Sequence, residues 1–459
     1  MDVNMCVDAL SMPLPEDIAR RKWAGDLEGA ARAIDRRLEG PLPEMLRARL
    51  TCEKERIRRL PTQYPFDRAQ ALEKLRELAG APVSEEAFDR LELDGWVDFI
   101  YIGGEKRYFV RFHRSMLKNG ALARWTGEAA GRENAWLDPM IRTIREKGEM
   151  ARRITLRASV GVDEDAFVPG EYLAHLPFPL EDAQQHDVRL LDGAPDGVAR
   201  PDAPARTIWW RRTLESRRMF EATYSYVSRI RYADPLDAPA PDAPLYPHCP
   251  PPCEADLGEH GAYMRFTPYL RRLSAALTAG EQSDVGRAWR IYEFVTTQVT
   301  YAFVRDYFQI DGHGEYCAVN LRGDCGLQAL LFILLCRIAG IPARWQSGMS
   351  IGAGGAGSHD WAQFYLRGWG WLFADPSFGG GAYRAGSSVR HRFYFGNVDP
   401  MRMAANRAYQ AAFEQAGEAL RADPFDNQSG EIERVGAPLP FTMRQLDGGA
   451  EVLSVQDLP

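Results

Sequence analysis

Asn320-Leu-Arg-Gly-Asp-Cys-Gly-Leu-Gln328 runs straight into residues 327–339, a stretch that is apolar nearly all round. A helix with no polar face has to be buried, so this one is expected to form the centre of a domain. Cys325, between Asp324 and Gly326, falls at its N-terminus. There the unpaired backbone N–H groups and the positive end of the helix dipole favour a thiolate. Cys336, in mid-helix, reads instead as a small core residue. Gly323 and Gly326 allow close approach of backbone or substrate.

Strand-like runs follow the helix, at residues 343–349, 361–366 and 371–374. One helix against an antiparallel sheet gives an α+β core. His359 comes after the Gly-rich residues 348–358 and is expected to open a strand, with one ring nitrogen toward the thiol. Asp375 ends the next strand and is expected to accept the other N–H. Asp360 is a rival orienter, disfavoured because adjacent strand residues point to opposite faces.

The motifs Gly323-Asp-Cys-Gly326, Arg337-Ile-Ala-Gly-Ile-Pro-Ala-Arg344, His359-Asp-Trp361 and Asp375-Pro376 resemble the transglutaminase-like superfamily core. The likeness spans residues ~283–380, and extends to the bacterial transglutaminase-like cysteine protease group that carries a β-sandwich before that core. It implies a papain-like site with Cys325 as nucleophile, His359 as general base and acid, and Asp375 as orienter. Tyr301 or Asn320 is an oxyanion-hole candidate. Tyr316 and Trp361 are candidates for the substrate cleft, with His313 and Cys317 nearby. Most of Trp345, Trp361, Trp369 and Trp371 are expected in the core.

Outside the core, residues 1–152 read as a helical N-terminal region with a β-hairpin around Gly103-Gly104. The first helix is expected to run from about Glu16 to Leu38, where Gly40 and Pro41 stop it. Residues 153–232 carry short strands separated by turn residues and read as a β-sandwich domain. Residues 233–257 form a Pro-rich linker, with eight prolines between 235 and 252. The catalytic core takes residues 258–410. Residues 411–459 form a tail packing on it, with a helical piece, an acidic stretch at 423–433 and a short strand near 440–444.

A net charge of −7, from 56 Lys+Arg against 63 Asp+Glu, gives no electrostatic case for nucleic acid or an anionic membrane as partner. The longest apolar run, residues 329–336, is far below the ~20 residues of a bilayer span. The N-terminus lacks a basic start and apolar stretch, so a cytoplasmic location is expected. Seven scattered cysteines do not suggest a disulfide framework. His248, Cys249 and Cys253, with His260 near, resemble a metal set only loosely, because three prolines hold the two thiols apart. Residues 352–357 lack the Lys-Ser/Thr of a phosphate loop. No cofactor is required by thiol chemistry.

A cysteine hydrolase acting on an amide or peptide bond through a thioester is the leading reading. A transglutaminase, with an amine in place of water, is the alternative. A non-catalytic peptide-binding module is the third. The partner in each case is a peptide or protein.

Overall fold

The computed structural model describes residues 7–127, 132–352 and 355–459. Five helices open the chain: α1 (Glu16–Trp23), α2 (Leu27–Leu38), α3 (Glu44–Gln63), α4 (Arg68–Ala79) and α5 (Glu85–Leu93). The single helix expected over 16–38 is therefore two. Gly25 breaks it with φ +78°, where a Cβ would lie 2.5 Å from the Tyr101 carbonyl oxygen, and Asp26 caps α2 through Gly29 N–H. The hairpin β1 (Phe99–Ile102) and β2 (Glu105–Tyr108) packs on these helices. Ile18, Leu50, Phe88 and Tyr108 belong to their shared core.

After helix α6 (Asp138–Lys147) come six strands: β3 (Glu149–Val162), β4 (Gly170–Pro177), β5 (Gln185–Asp192), β6 (Gly197–Val198), β7 (Thr207–Leu214) and β8 (Phe220–Arg231). They divide between two sheets. β3, β8 and β5 form one, and β4, β7 and β6 belong to the other. Apolar side chains of both meet in one core, among them Ile154, Leu156, Tyr172, Ile208 and Tyr224. The proline-rich stretch wraps the core strands: the carbonyl of Pro250 accepts from Trp371 Nε1, and Tyr246 is buried against Phe373.

The core proper holds α7 (Pro268–Leu277), α8 (Asp284–Gln298), the short β9 (Thr300–Tyr301), α9 (His313–Asn320), β10 (Arg322–Gly323) and α10 (Cys325–Ile338). Its sheet contains β11 (Ala343–Gly352), β12 (Gly355–Leu366), β13 (Gly370–Ala374), β14 (Phe395–Gly396) and β15 (Arg402–Asn406), with α11 (Pro376–Arg384) after β13. The order is β14-β13-β12-β11-β15. Thirteen of the fourteen residues of α10 are buried, and Phe332 meets Phe364 of β12 edge-on at 5.6 Å. The helix therefore covers the face of β12 that carries Ala362 and Phe364. Trp361 points to the opposite face, into a separate cluster with Leu180, Ile230 and Phe373.

The expected Gly-rich loop before His359 is instead a hairpin, with β11 and β12 paired out to Gly352 and Gly355. His359 thus sits inside β12, not at its start. The tail also differs from expectation. The expected helical piece reduces, among the described residues after Tyr409, to a single 3-10 turn at Met443–Gln445, and the last strand, β17 (Leu446–Leu458), is longer and later than the one expected near 440–444. β16 (Glu431–Arg434) pairs with β4, and β17 pairs along β3 and touches β12 at Ala450–Ala356. The chain end thereby completes both middle sheets and joins one of them to the core sheet. Among the described residues no helix is long and apolar enough to cross a membrane.

Candidate active site

Asp324 starts α10 as its N-cap, accepting from Leu327 N–H through Oδ1 at 3.2 Å. The hydroxyl of Tyr307 donates to the same oxygen at 2.6 Å. Gly326 is demanded here, because a Cβ at this position would lie 2.0 Å from the Tyr307 hydroxyl and 2.9 Å from Asp360 Oδ2. Cys325 is 9% exposed. Its thiol opens on a cavity of about 250 Å³ lined by Tyr301, Tyr307, Asp324, Asp360, Arg111 and Gln428 among others.

The cavity walls come from three distant parts of the chain. The N-terminal region supplies Arg111, which stacks over Phe303 at 3.7 Å, and it braces the Tyr307 loop. Gln63 donates to Asp306 at 2.9 Å, Gln309 donates to the Arg56 carbonyl at 2.8 Å, and Arg59 lies over Phe308. The tail supplies residues 422–431. Asp426 anchors that segment by accepting from Ser347 Oγ at 2.6 Å and Asn406 Nδ2 at 2.8 Å.

The expected triad is divided between the two faces of β12. His359 Nε2 and Asp375 Oδ2 are 2.7 Å apart. Asp375 also N-caps α11 through Phe378 N–H and pairs with Arg402 at 2.9 Å. Arg402 continues to Asp399 at 2.7 Å. All four side chains are buried. The His359 ring lies beside Trp361 and Phe378, and it makes no hydrogen bond to Cys325. The thiol instead donates to Asp360 Oδ2 at 3.1 Å. His359 and Asp360 do point to opposite faces, as strand geometry requires. The face that meets the thiol is that of Asp360.

The electrostatics follow this placement. Burial, then the carboxyls of Asp360 and Asp324, push the Cys325 thiol well above its ordinary value. The helix start favours the thiolate, and burial with the neighbouring carboxyls opposes it. Burial and Asp426 push Asp360 up. Burial pushes His359 down despite Asp375. For Asp375 the burial penalty is outweighed by His359 and Arg402, which hold it at about 2.

Of the other candidates, Tyr301 lines the cavity beside Cys325. Asn320 does not: it is exposed at the end of α9, donating to the Tyr316 carbonyl. Tyr316 lies under Arg305, away from the cavity, and Trp361 faces away from the thiol, donating to Gln346. His313 is enclosed by Tyr263, Tyr409 and Phe425. Cys317 is buried. His248 lies against the Asp182 carbonyl and Cys249 against its carboxyl, while Cys253 is exposed. Among the described residues no cluster of three or more His, Cys, Asp or Glu could hold a metal ion. Cys6 lies outside the described residues. Sequence reasoning missed Tyr307, Asp426 and Gln428. The acidic, amide-rich stretch at 423–433 was the one visible signal for Asp426 and Gln428, and Tyr307 had none.

Residues 271–376 match the model of the Transglutaminase-like superfamily core. No curated protein matches the chain. Among solved structures, the chain is similar to one from Cytophaga hutchinsonii described as "a Putative Cysteine Protease", at 14% identity over 68% of this chain and 91% of that one, with a TM-score of 0.44. It is also similar to the periplasmic domain of TgpA from Pseudomonas aeruginosa, at 16% identity over 58% and 97%, with a TM-score of 0.27.

Proposed function

For a chain that carries a transglutaminase-like superfamily core at residues 271–376, we propose a cysteine hydrolase that cleaves an amide or peptide bond through a thioester on Cys325. The observation that carries this reading is the thiol at the first residue of α10, open to a polar cavity. In this reaction Sγ attacks the carbonyl carbon. At a helix start the N–H groups of Cys325 and Gly326 have no acceptor in a preceding turn, so they are free to receive the oxyanion. The C–N bond then breaks, the amine leaves with a proton, and water cleaves the thioester and restores the thiol.

A second reading, a peptide-binding module without turnover, is favoured by the placement of His359 on the far face of β12. Incubation with an unstructured protein substrate, with and without a primary amine, separates the possibilities. Hydrolysis predicts cleaved products that vanish in Cys325→Ala and do not incorporate the amine. Amine incorporation would make the chain a transamidase. Retention of the peptide with no new product would support the binding module.

A further inference from the structure

Given the reading of Cys325 as the nucleophile, on which this rests, we infer that Arg111 receives a carboxylate of the substrate. The preferred peptide then carries a carboxylate close to the bond that Cys325 attacks. Arg111 belongs to the N-terminal region, outside the family core at residues 271–376, yet it lines the same cavity as the thiol. Its guanidinium stacks over the Phe303 ring at 3.7 Å. Ser115, one helical turn on, accepts from Phe303 N–H through Oγ at 2.9 Å, which holds the ring and the guanidinium together. The stack takes up one face of the guanidinium and leaves its N–H edge. Nε is buried and finds no acceptor among the described residues. Asp324 and the thiol act on Arg111 through space, and among the described residues no carboxylate forms an ion pair with it.

The other charged groups of the lining already have partners. Arg305 donates to the Gln309 carbonyl and lies over Tyr316. Asp324 accepts from Tyr307 and from Leu327 N–H, Asp306 from Gln63, and Asp360 from Gln428 and the thiol. Asp423 accepts from Phe425 N–H, Asp426 from Ser347 and Asn406, and Glu431 pairs with Arg421. Burial pushes all six carboxyls up, so the wall carries less negative charge than its composition suggests. Arg111 is the charged group left over. A guanidinium held in one plane without a counter-ion, in a cavity of about 250 Å³ beside a nucleophile, is matched by a carboxylate, which can accept two parallel N–H bonds from it. An unpaired cation in such a place is costly, and a bound carboxylate removes that cost. An acidic side chain near the scissile bond and the free C-terminus of a peptide present the same two oxygens.

The test compares alkylating probes in matched pairs, an acid against its neutral amide: iodoacetate with iodoacetamide, and the longer bromoacetyl-glycine with bromoacetyl-glycinamide. Each forms an S–C bond at sulfur and releases halide. Both members of a pair meet the same thiolate, so their rate ratio does not depend on how readily the thiol ionises. Rates at Cys325 and at the exposed Cys253 are followed against pH by peptide mapping in the full chain. For at least one pair the acid-to-amide ratio at Cys325 is expected to exceed that at Cys253 on the order of 10-fold, the lower end for a hydrogen bond to a charged group. Arg111→Gln should bring it down to the Cys253 value. Arg111→Lys, which keeps the charge without the fork, should retain part of it. Ratios at Cys325 no higher than those at Cys253 for both pairs, or a raised ratio that survives in Arg111→Gln, would overturn the inference and leave the nucleophile standing. No reaction at Cys325 with any probe would overturn the nucleophile, and the inference with it. Cleavage of matched peptides then identifies the source. Loss of cleavage on amidation of the C-terminus assigns the carboxylate to the chain end, and loss on replacing an internal glutamate by glutamine assigns it to a side chain. Equal cleavage across both replacements counts against Arg111 as the carboxylate site.

Discussion

The Cys325 Sγ atom lies 3.1 Å from Asp360 Oδ2, while His359, one residue earlier on the same strand, turns its ring to the opposite face and meets Asp375 at 2.7 Å. One β-strand therefore separates two polar systems. The first faces a cavity. The second is a buried His-Asp-Arg-Asp chain whose surroundings are Trp361, Phe378 and Tyr394.

The buried chain makes a stability prediction. Asp375→Asn leaves Arg402 with only Asp399, and breaking a buried pair this way costs about 3–5 kcal/mol. Urea denaturation should show the loss at pH 7. The same variant should be less sensitive to acid. Asp375 sits at about 2 in the folded chain against an ordinary 3.8, so its contribution is complete above about pH 4 and disappears as pH falls toward 2. His359, pushed below its ordinary 6.5 by burial, adds to the same trend, because charging it on acidification is easier in the unfolded chain. A wild type whose stability stays flat from pH 7 to pH 3 would contradict this assignment.

Gly326→Ala should damage the site more than the fold. Its Cβ would collide with the Tyr307 hydroxyl and crowd Asp360, and overpacking of this kind costs about 1–3 kcal/mol. The variant should melt somewhat lower. Its Cys325 alkylation profile should shift, because the Tyr307–Asp324 and Cys325–Asp360 contacts cannot both persist. An unchanged profile would mean that the Tyr307 loop moves away freely.

Leu331→Ala and Leu334→Ala probe the centre of the domain. Both side chains are fully buried on α10, and each truncation is expected to cost about 2–5 kcal/mol by lost burial and the cavity left behind. The denaturant midpoint is the measurement. An unchanged midpoint would place the helix outside the cooperative core.

Much of this architecture was legible in the sequence, for local reasons. Residues 327–338 have no polar face and could only be buried, and Cys325 at their start follows from that. The pairing of His359 with Asp375 follows from two consecutive strands in register, Ala362 opposite Ala374. What could not be read is which face of β12 meets the helix. Trp361, Ala362, Gln363 and Phe364 are all buried, so no alternation of apolar and polar residues marks the inner face. With a period of two, a shift of one residue exchanges His359 for Asp360. The contribution of the tail was hidden for a different reason. Asp426 and Gln428 reach Asp360 across more than sixty residues, and an acidic stretch read alone resembles a solvated surface. The break at Gly25 was missed because its cause, the Tyr101 carbonyl, is likewise distant in sequence.

An acyl-transfer role for Cys325 would leave an acyl-enzyme that can be trapped. The full chain is mixed with p-nitrophenyl acetate, quenched in acid and mapped by mass spectrometry. A single acetyl group is expected on the peptide that contains Cys325, formed in a burst, then lost by hydrolysis, and absent in Cys325→Ala. Acetylation confined to the exposed Cys253, with Cys325 unmodified at every time point, would contradict it.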